Sequence, residues 1–169
     1  MSYHGAVIGA LIATILYGMK NEKYLYKLLD ISALCIPVGY VFGRIGNFLN
    51  QELVGNVTMV PWGIYVEGVL RHPSQLYEAF LEGIVIAIIL FIIRRKKPFD
   101  GSLIAIYGIL YGLARFVVEF YRMPDVQLGI MCCGMSMGQI MSFSMIGLFV
   151  ILYLDRKSTR LNSSHGKLS

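Results

Sequence analysis

The sequence predicts an all-α, polytopic bundle of about five transmembrane helices with a loop region outside the membrane. Three bulk properties predict it: 56% of the 169 residues are hydrophobic, 15% are charged, and the mean hydropathy is +0.64. Soluble domains ordinarily contain about 45–50% apolar and about 25% charged residues. The chain is therefore expected to lie mostly within a membrane.

Four apolar runs are long enough to cross a bilayer, whose core of about 30 Å requires roughly 20 helical residues. They cover residues 3–19, 76–93, 102–120 and 135–154. A fifth run, residues 31–49, contains a proline, an arginine and three glycines. Such a segment suits the interior of a bundle, where neighbouring helices can satisfy its polar groups.

The basic residues between these runs predict the orientation, because short cytoplasmic loops carry an excess of lysine and arginine. Three lysines follow the first run, and residues 94–97, after the run at 76–93, are all basic. Alternation then places residues 50–74 and 121–134 on the outer side. No basic segment precedes the first run, so we expect no cleavable signal peptide and interpret Met1 as an internal methionine.

The last fifteen residues, 155–169, differ in composition from the rest of the chain. They resemble the translation of a common sequencing-library adapter, so we interpret residues 1–154 as the transmembrane domain and 155–169 as a non-native, adapter-derived tail. The alternative is a disordered cytoplasmic tail. The tail carries three of the five net positive charges, and the other basic residues lie in short runs. This distribution argues against a nucleic-acid partner.

The densest group of polar residues within a predicted span is GRIGNFLNQELVG, residues 43–55. An ionisable residue at the centre of a membrane helix costs about 2.5–3.5 kcal/mol, so each one requires a partner or a function. Arg44 and Asn47 are three residues apart and share one helical face. An arginine there is suited to binding a phosphate group. The alternative is an arginine that extends to the membrane surface, with the glycines serving helix packing.

A second polar group is YGLARFVVEFYRMPD, residues 111–125. Tyr111, Arg115 and Glu119 are spaced four residues apart, so one helical face carries a phenol, a guanidinium and a carboxylate. A purely structural ion pair between Arg115 and Glu119 is the alternative. Arg122 follows near the outer interface, where it could hold an anionic headgroup.

Two further groups complete the set. His4 begins the first run, and HPSQLYEAFLEG covers residues 72–83. In the latter, Ser74 is a candidate helix cap, and Gln75, Glu78 and Glu82 lie on one stripe that is expected to face the bundle. We interpret Glu78 as a partner for a buried arginine. Under the predicted orientation, all four groups lie in the outer half of the membrane.

These groups resemble motifs of the prolipoprotein diacylglyceryl transferase family. The run 43–55 agrees with the family signature at all eight defined positions: Gly43, Arg44, Gly46, Asn47, Phe48, Asn50, Glu52 and Gly55. The run 111–125 resembles the late arginine helix of the family, and His4 with Gly5 resembles its histidine-glycine motif. Members of the family begin well upstream, so further spans are expected before Met1.

The resemblance implies that the diacylglyceryl group of phosphatidylglycerol is transferred to the lipobox cysteine thiol of a prolipoprotein. It also implies a multi-pass protein of the bacterial inner membrane, with a periplasmic loop region and an active site that faces the outer leaflet. The implied partners are phosphatidylglycerol, the prolipoprotein signal peptide and the lipid bilayer. No cofactor or metal is implied, and Cys35, Cys132 and Cys133 lack metal-type spacing.

The resemblance also implies a role for each site residue. Arg44 and Arg115 clamp the phosphodiester, and His4 is a candidate base or headgroup hydrogen-bonder. Asn47 and Glu119 complete the predicted catalytic group by orienting the arginines. The remaining residues are predicted to contact or support the bound substrate, namely Glu52, Gly55, Glu78, Tyr111 and Arg122.

Two alternatives stay open at this point. A small membrane transport subunit would also carry intramembrane arginine, glutamate and histidine, but it would spread them through the full depth of the spans. The inner halves of residues 76–93 and 135–154 are almost wholly apolar, which disfavours a pore. An inactive fragment that keeps only the fold is the second alternative.

Overall fold

The computed structural model describes residues 3–123 and 136–165. In chain order it contains helix α1 (Tyr3–Lys20), helix α2 (Glu22–Leu49), strand β1 (Ile64–Val66), strand β2 (Val69–Arg71), helix α3 (Ser74–Glu78), a π-helical segment (Ala79–Val85), helix α4 (Ile86–Ile93), a 3₁₀ turn (Arg94–Lys96), helix α5 (Ser102–Val118) and helix α6 (Met137–His165). The predicted helical architecture is therefore confirmed, with one small hairpin in the loop region.

Three described helices are long and apolar enough to cross a membrane: Tyr24–Leu49, Ser74–Lys96 and Met137–Leu161. Helix α5 is apolar but has only 17 residues. The expected count of about five spans therefore stays a prediction. The run predicted at 31–49 was too short, because α2 begins at Glu22, directly after the short connection at Asn21.

Apolar packing between α2, α4 and α5 forms the centre of the bundle. Ala33, Ile86, Leu90 and Leu103 are buried against one another, and α6 packs along α5. The helix Ser74–Lys96 approaches α2 most closely at Gly83, where an added Cβ would lie 3.2 Å from the Pro37 carbonyl oxygen and would overlap the Val41 side chain. Glycine at this position lets the two helix backbones meet.

At one end of the bundle, the buried carboxylate of Asp30 caps the start of α5. The backbone N–H groups of Gly101, Leu103 and Ile104 donate to it at 3.0, 3.0 and 3.2 Å. Lys97 Nζ donates to the same carboxylate at 3.0 Å. Burial lowers the pKa of Lys97, but its hydrogen bonds to Asp100 and Asp30 outweigh this effect and raise the pKa above its usual range.

The opposite end carries the loop region. Strands β1 and β2 pair antiparallel around a turn at Glu67 and Gly68, both with positive φ. The loop after α2 pairs with the loop after α5, because Gly55 forms an isolated β-bridge with Arg122. An added Cβ at Gly55 would lie 2.5 Å from the His72 carbonyl oxygen and 2.6 Å from that of Tyr121. Only glycine fits between these two backbones without displacing them.

Candidate functional site

Glu78 joins the two arginines that the sequence singled out. Arg44 Nε lies 2.6 Å from Glu78 Oε2, and Arg115 Nη1 lies 3.3 Å from Glu78 Oε1. The Glu78 side chain is fully buried, whereas the two arginine side chains keep 15% and 16% of their surface exposed. The predicted meeting of Arg44 and Arg115 in one place therefore agrees with the geometry, and so does Glu78 as the partner of a buried arginine.

The local folding of the helix Ser74–Lys96 brings a second carboxylate to the same place. Glu78 ends α3 and Glu82 lies in the π-helical segment, and both side chains are fully buried. A π-helical turn is wide and rare, and such turns occur often at functional sites. Glu82 Oε1 lies 3.8 Å from Arg115 Nη1. Gln75, Glu78 and Glu82 are all buried, as the predicted stripe requires.

Tyr40 is the site residue that sequence reasoning missed. Its hydroxyl donates to Glu82 Oε2 at 2.6 Å and lies 3.3 Å from Glu78 Oε2. The Arg44 guanidinium lies over the Tyr40 ring, 4.7 Å from its centroid, and the Tyr111 ring meets it edge-on. The available signal was the spacing, because Tyr40 precedes Arg44 by four residues and so shares its helical face.

A chain of polar contacts supports Arg44 from the loop after α2. Arg44 Nη1 donates to Asn47 Oδ1 at 3.4 Å, and Asn47 Nδ2 donates to Glu52 Oε2 at 3.1 Å. Gln75 Nε2 donates to the Glu52 carbonyl at 2.6 Å. The expected cap by Ser74 was wrong, because Ser74 is the first helical residue and its hydroxyl donates to the Leu53 carbonyl at 3.1 Å.

Arg115 is held from the other side by Glu119. Arg115 Nη2 lies 3.2 Å from Glu119 Oε2, four residues further along the chain. Glu119 Oε1 in turn accepts a hydrogen bond from Ser136 Oγ at 2.9 Å. This contact joins the C-terminal end of α5 to the start of α6. The predicted face with Tyr111, Arg115 and Glu119 therefore exists, and all three side chains line one cavity.

Two adjoining cavities surround the arginines. The larger has a volume of about 750 Å³ and is lined by residues of α2, α5 and the loop after α2: Ile36, Gly39, Tyr40, Gly43, Arg44, Asn47, Leu53, Tyr111 and Arg115. The smaller, of about 370 Å³, lies between α5 and α6 and includes Arg122. Tyr111 and Arg115 line both cavities, so a ligand in either can reach the Arg115 guanidinium.

The remaining predicted residues do not line these cavities or are not described. Glu52 and Gly55 line neither cavity. Glu52 accepts a hydrogen bond from Asn47, and Gly55 pairs with Arg122 in the loop after α5. His4 lies in the first turn of α1, but its side chain lies outside the described part of the structure, as do Cys132 and Cys133. Within residues 3–123 and 136–165, no group of three His, Cys, Asp or Glu residues is placed to hold a metal.

The charges at the site nearly cancel. Two guanidiniums, Arg44 and Arg115, face three carboxylates, Glu78, Glu82 and Glu119. If all five groups are ionised, their formal sum is one negative charge. Arginine contributes five N–H donors in a planar fork, so each guanidinium keeps donors beyond those that the carboxylates occupy. The site can therefore offer two guanidiniums to an anion, in competition with its own carboxylates.

Fold and site together define a class: a helical membrane protein with two internally paired arginines beside a cavity at one end of the bundle. The chain belongs to the prolipoprotein diacylglyceryl transferase family, whose sequence profile matches residues 1–154.

Curated bacterial relatives agree with this family. A phosphatidylglycerol–prolipoprotein diacylglyceryl transferase of Campylobacter lari is 62% identical over 156 residues, which are 91% of this chain and 58% of the relative. The protein of the same name from Campylobacter jejuni (strain RM1221) is 58% identical and covers 96% of the chain. That from Wolinella succinogenes is 57% identical and covers 93%. The chain spans about three-fifths of the length of these relatives.

Proposed function

We propose that the protein transfers the diacylglyceryl group of phosphatidylglycerol to the lipobox cysteine thiol of prolipoproteins, the first step of bacterial lipoprotein maturation. The names of its relatives support this function. The observation that carries it is the convergence of Arg44 and Arg115 on Glu78 beside a cavity of about 750 Å³. The ligand that this arrangement fits is the phosphodiester of an anionic lipid headgroup.

The proposed chemistry is a displacement at the glyceryl carbon. The thiol loses its proton as its sulfur forms a bond to that carbon, and the carbon–oxygen bond to phosphate breaks. Glycerol phosphate leaves with that electron pair, and the proton finally leaves with it. Negative charge therefore grows on the phosphate oxygen during the reaction. Two guanidiniums fixed in advance stabilise such a charge without reorganising, which is the usual source of large rate enhancements.

The other site residues have supporting roles in the proposal. Asn47 and Glu52 hold Arg44, and Glu119 holds Arg115, so that each long side chain keeps one orientation. Tyr111 and Arg122 lie beside the cavities, within reach of a headgroup. His4 remains a candidate base or headgroup hydrogen-bonder. The proposal includes no cofactor or metal, and the nucleophile belongs to the protein substrate.

We further propose a bacterial inner-membrane protein with about five spans in this chain, whose active site faces the outer leaflet. The clustered cations at residues 94–97 lie at the end of the bundle opposite the arginine site, as a cytoplasmic end would require. Residues 1–154 form the transferase domain in this proposal, and residues 155–169 are a non-native tail.

Replacing each clamp residue tests the function. In the full-length protein that the gene encodes, Arg44→Ala and Arg115→Ala are each expected to lower transfer by at least about 10²-fold, because each removes a donor from the developing charge. The assay is the mass increase of a lipobox peptide in vesicles that contain phosphatidylglycerol. Arg95→Ala, at the opposite end of the bundle, is the matched control. Near-normal transfer by either clamp variant, correctly inserted, would remove the clamp from the proposal.

A further inference from the structure

The three carboxylates of the site are not equivalent. Glu78 contacts both guanidiniums, and Glu119 pairs with Arg115 at 3.2 Å and with Ser136 at 2.9 Å. Among the described residues, the ion pair of Glu82 is the longest of the three, 3.8 Å from Arg115, and its shortest polar contact is the Tyr40 hydroxyl at 2.6 Å. Its Oε1 atom is buried without a hydrogen-bond partner among the described residues, as are Glu78 Oε1 and Glu119 Oε2, but those two carboxylates each have an arginine nitrogen within 3.3 Å.

The excess negative charge of the site therefore falls on Glu82. Burying a carboxylate without a close cation costs free energy, because the charge loses its hydration without full compensation. A proton delivered to Glu82 would remove that cost. It would also change the formal sum of the five charges from minus one to zero, with both guanidiniums still positive.

Tyr40 connects this carboxylate to the cavity. Its side chain lines the space of about 750 Å³ in which a headgroup and a thiol would meet, and its hydroxyl donates to Glu82. A phenolic oxygen has two lone pairs, so a hydroxyl that donates its own proton can also accept one. Tyr40 can thus take a proton on the cavity side while passing its own to Glu82.

We propose that Tyr40 and Glu82 form the proton-accepting relay for the attacking thiol, an inference that rests on the proposed function. As the cysteine S–H bond breaks, its proton moves to Tyr40 Oη and the phenolic proton moves to Glu82 Oε2. The sulfur electron pair forms the bond to the glyceryl carbon, and the carbon–oxygen pair leaves on phosphate. The proton on Glu82 then returns through Tyr40 to the cavity with the departing product.

The relay explains how the clamp can work beside three carboxylates. The proton reaches Glu82 as negative charge grows on the phosphate, so one carboxylate stops competing for Arg115 when the leaving group needs it most. The other ionisable groups that face the relay among the described residues are Glu78, Arg44, Tyr111 and Arg115. Arg44 and Arg115 keep their charge throughout, and Glu78 stays between them.

The test compares two nucleophiles in the full-length protein. Tyr40→Phe keeps the ring that contacts Arg44 and Tyr111 but removes the hydroxyl. With a cysteine lipobox peptide, it is expected to lower the transfer rate by about 10²-fold or more, the usual contribution of proton transfer. With a selenocysteine peptide, whose selenol is largely ionised at neutral pH and needs no base, the variant is expected to approach the unsubstituted rate. Glu82→Gln is expected to follow the same pattern, and Tyr65→Phe, whose side chain is exposed on strand β1, is the control.

The transfer rates with the two peptides either support the relay or overturn it. An unchanged rate of Tyr40→Phe with the cysteine peptide would overturn the relay. An equal loss with both peptides would also overturn it, because it would assign Tyr40 a structural role. Arg115→Ala should stay slow with both peptides, since the clamp is needed for either nucleophile. If the unsubstituted protein modifies neither peptide, the proposed function itself fails, and the relay with it.

Discussion

A single buried carboxylate organises the arginine site. Glu78 contacts guanidiniums from two different helices, α2 and α5, with one oxygen each. In a buried ion pair, loss of one partner is costly because the remaining charge stays desolvated. Here the loss would remove the ion pair of Arg44, whereas Arg115 would keep Glu119 and Glu82, so Glu78 matters for stability as well as for the position of Arg44.

Glu78→Gln is expected to lower the free energy of unfolding by about 3 kcal/mol, because an amide cannot replace the close ion pair of the partly buried Arg44. Thermal unfolding of the protein in detergent micelles would measure the change. Glu67→Gln, in the exposed hairpin turn, is the matched control. If the two variants melt at the same temperature, Glu78 does not hold the two helices together.

Sequence spacing predicted those contacts of the site that lie within one helix. Arg115 and Glu119 are four residues apart, and Arg44 and Asn47 are three apart, so helical geometry alone brings them together. The contacts of Tyr40 with Glu82 could not be predicted in this way, because they depend on how α2 meets the π-helical segment. Glu82 was placed on the buried stripe, but its partner lies on another helix.

Among the elements, α5 shows most directly how one helix is fixed by another. Asp30 of α2 accepts three backbone N–H groups at the start of α5. The first N–H groups of a helix have no partner inside it, and a carboxylate there also complements the helix dipole. Because Tyr40 of the same helix contacts Tyr111 edge-on, α2 contacts α5 at two separate places along its length.

Asp30→Asn is expected to destabilise the protein by about 1–2 kcal/mol, the range for loss of a helix cap. Thermal unfolding in detergent is the measurement, and Asp100→Asn, which removes only a half-exposed ion pair, is the control. An Asp30 variant as stable as this control would contradict the capping role.

The difference in stability between Asp30→Asn and the unsubstituted protein is expected to depend on pH. The pKa of Lys97 is raised by its carboxylate partners, so its pairing with Asp30 contributes fully below the ordinary lysine pKa of about 10.4 and is lost as the pH rises through the raised pKa. The difference between Asp30→Asn and the unsubstituted protein should therefore narrow in strongly alkaline solution. A constant difference would assign the whole effect to the backbone contacts.

At the scale of the whole molecule, the two ends of the bundle differ in chemistry. The hairpin, the paired loops and the arginine site share one end, and the basic residues 94–97 lie at the other. Composition predicted the helical membrane class, because it follows from apolar length alone. The number of membrane spans could not be predicted from composition, since α5 is short and α2 begins well before the predicted apolar run at residues 31–49.

Cysteine labelling tests the proposed orientation. In a variant that lacks Cys35, Cys132 and Cys133, Tyr65→Cys should react with a membrane-impermeant maleimide in intact cells, because β1 is expected on the outer side. Lys96→Cys should react only after the membrane is permeabilised. The opposite pattern would reverse the orientation.

The position of Glu78 also has a consequence for ligand selectivity. The carboxylate is a tethered competitor for both guanidiniums, and its effective concentration is high because the chain cannot release it. A weakly binding anion, or one that contacts only a single arginine, gains too little binding free energy to displace the Glu78 carboxylate. The site should thus discriminate by the number of oxygens presented at once, so that chloride and lone carboxylates are excluded while a tetrahedral oxyanion that spans both side chains is retained.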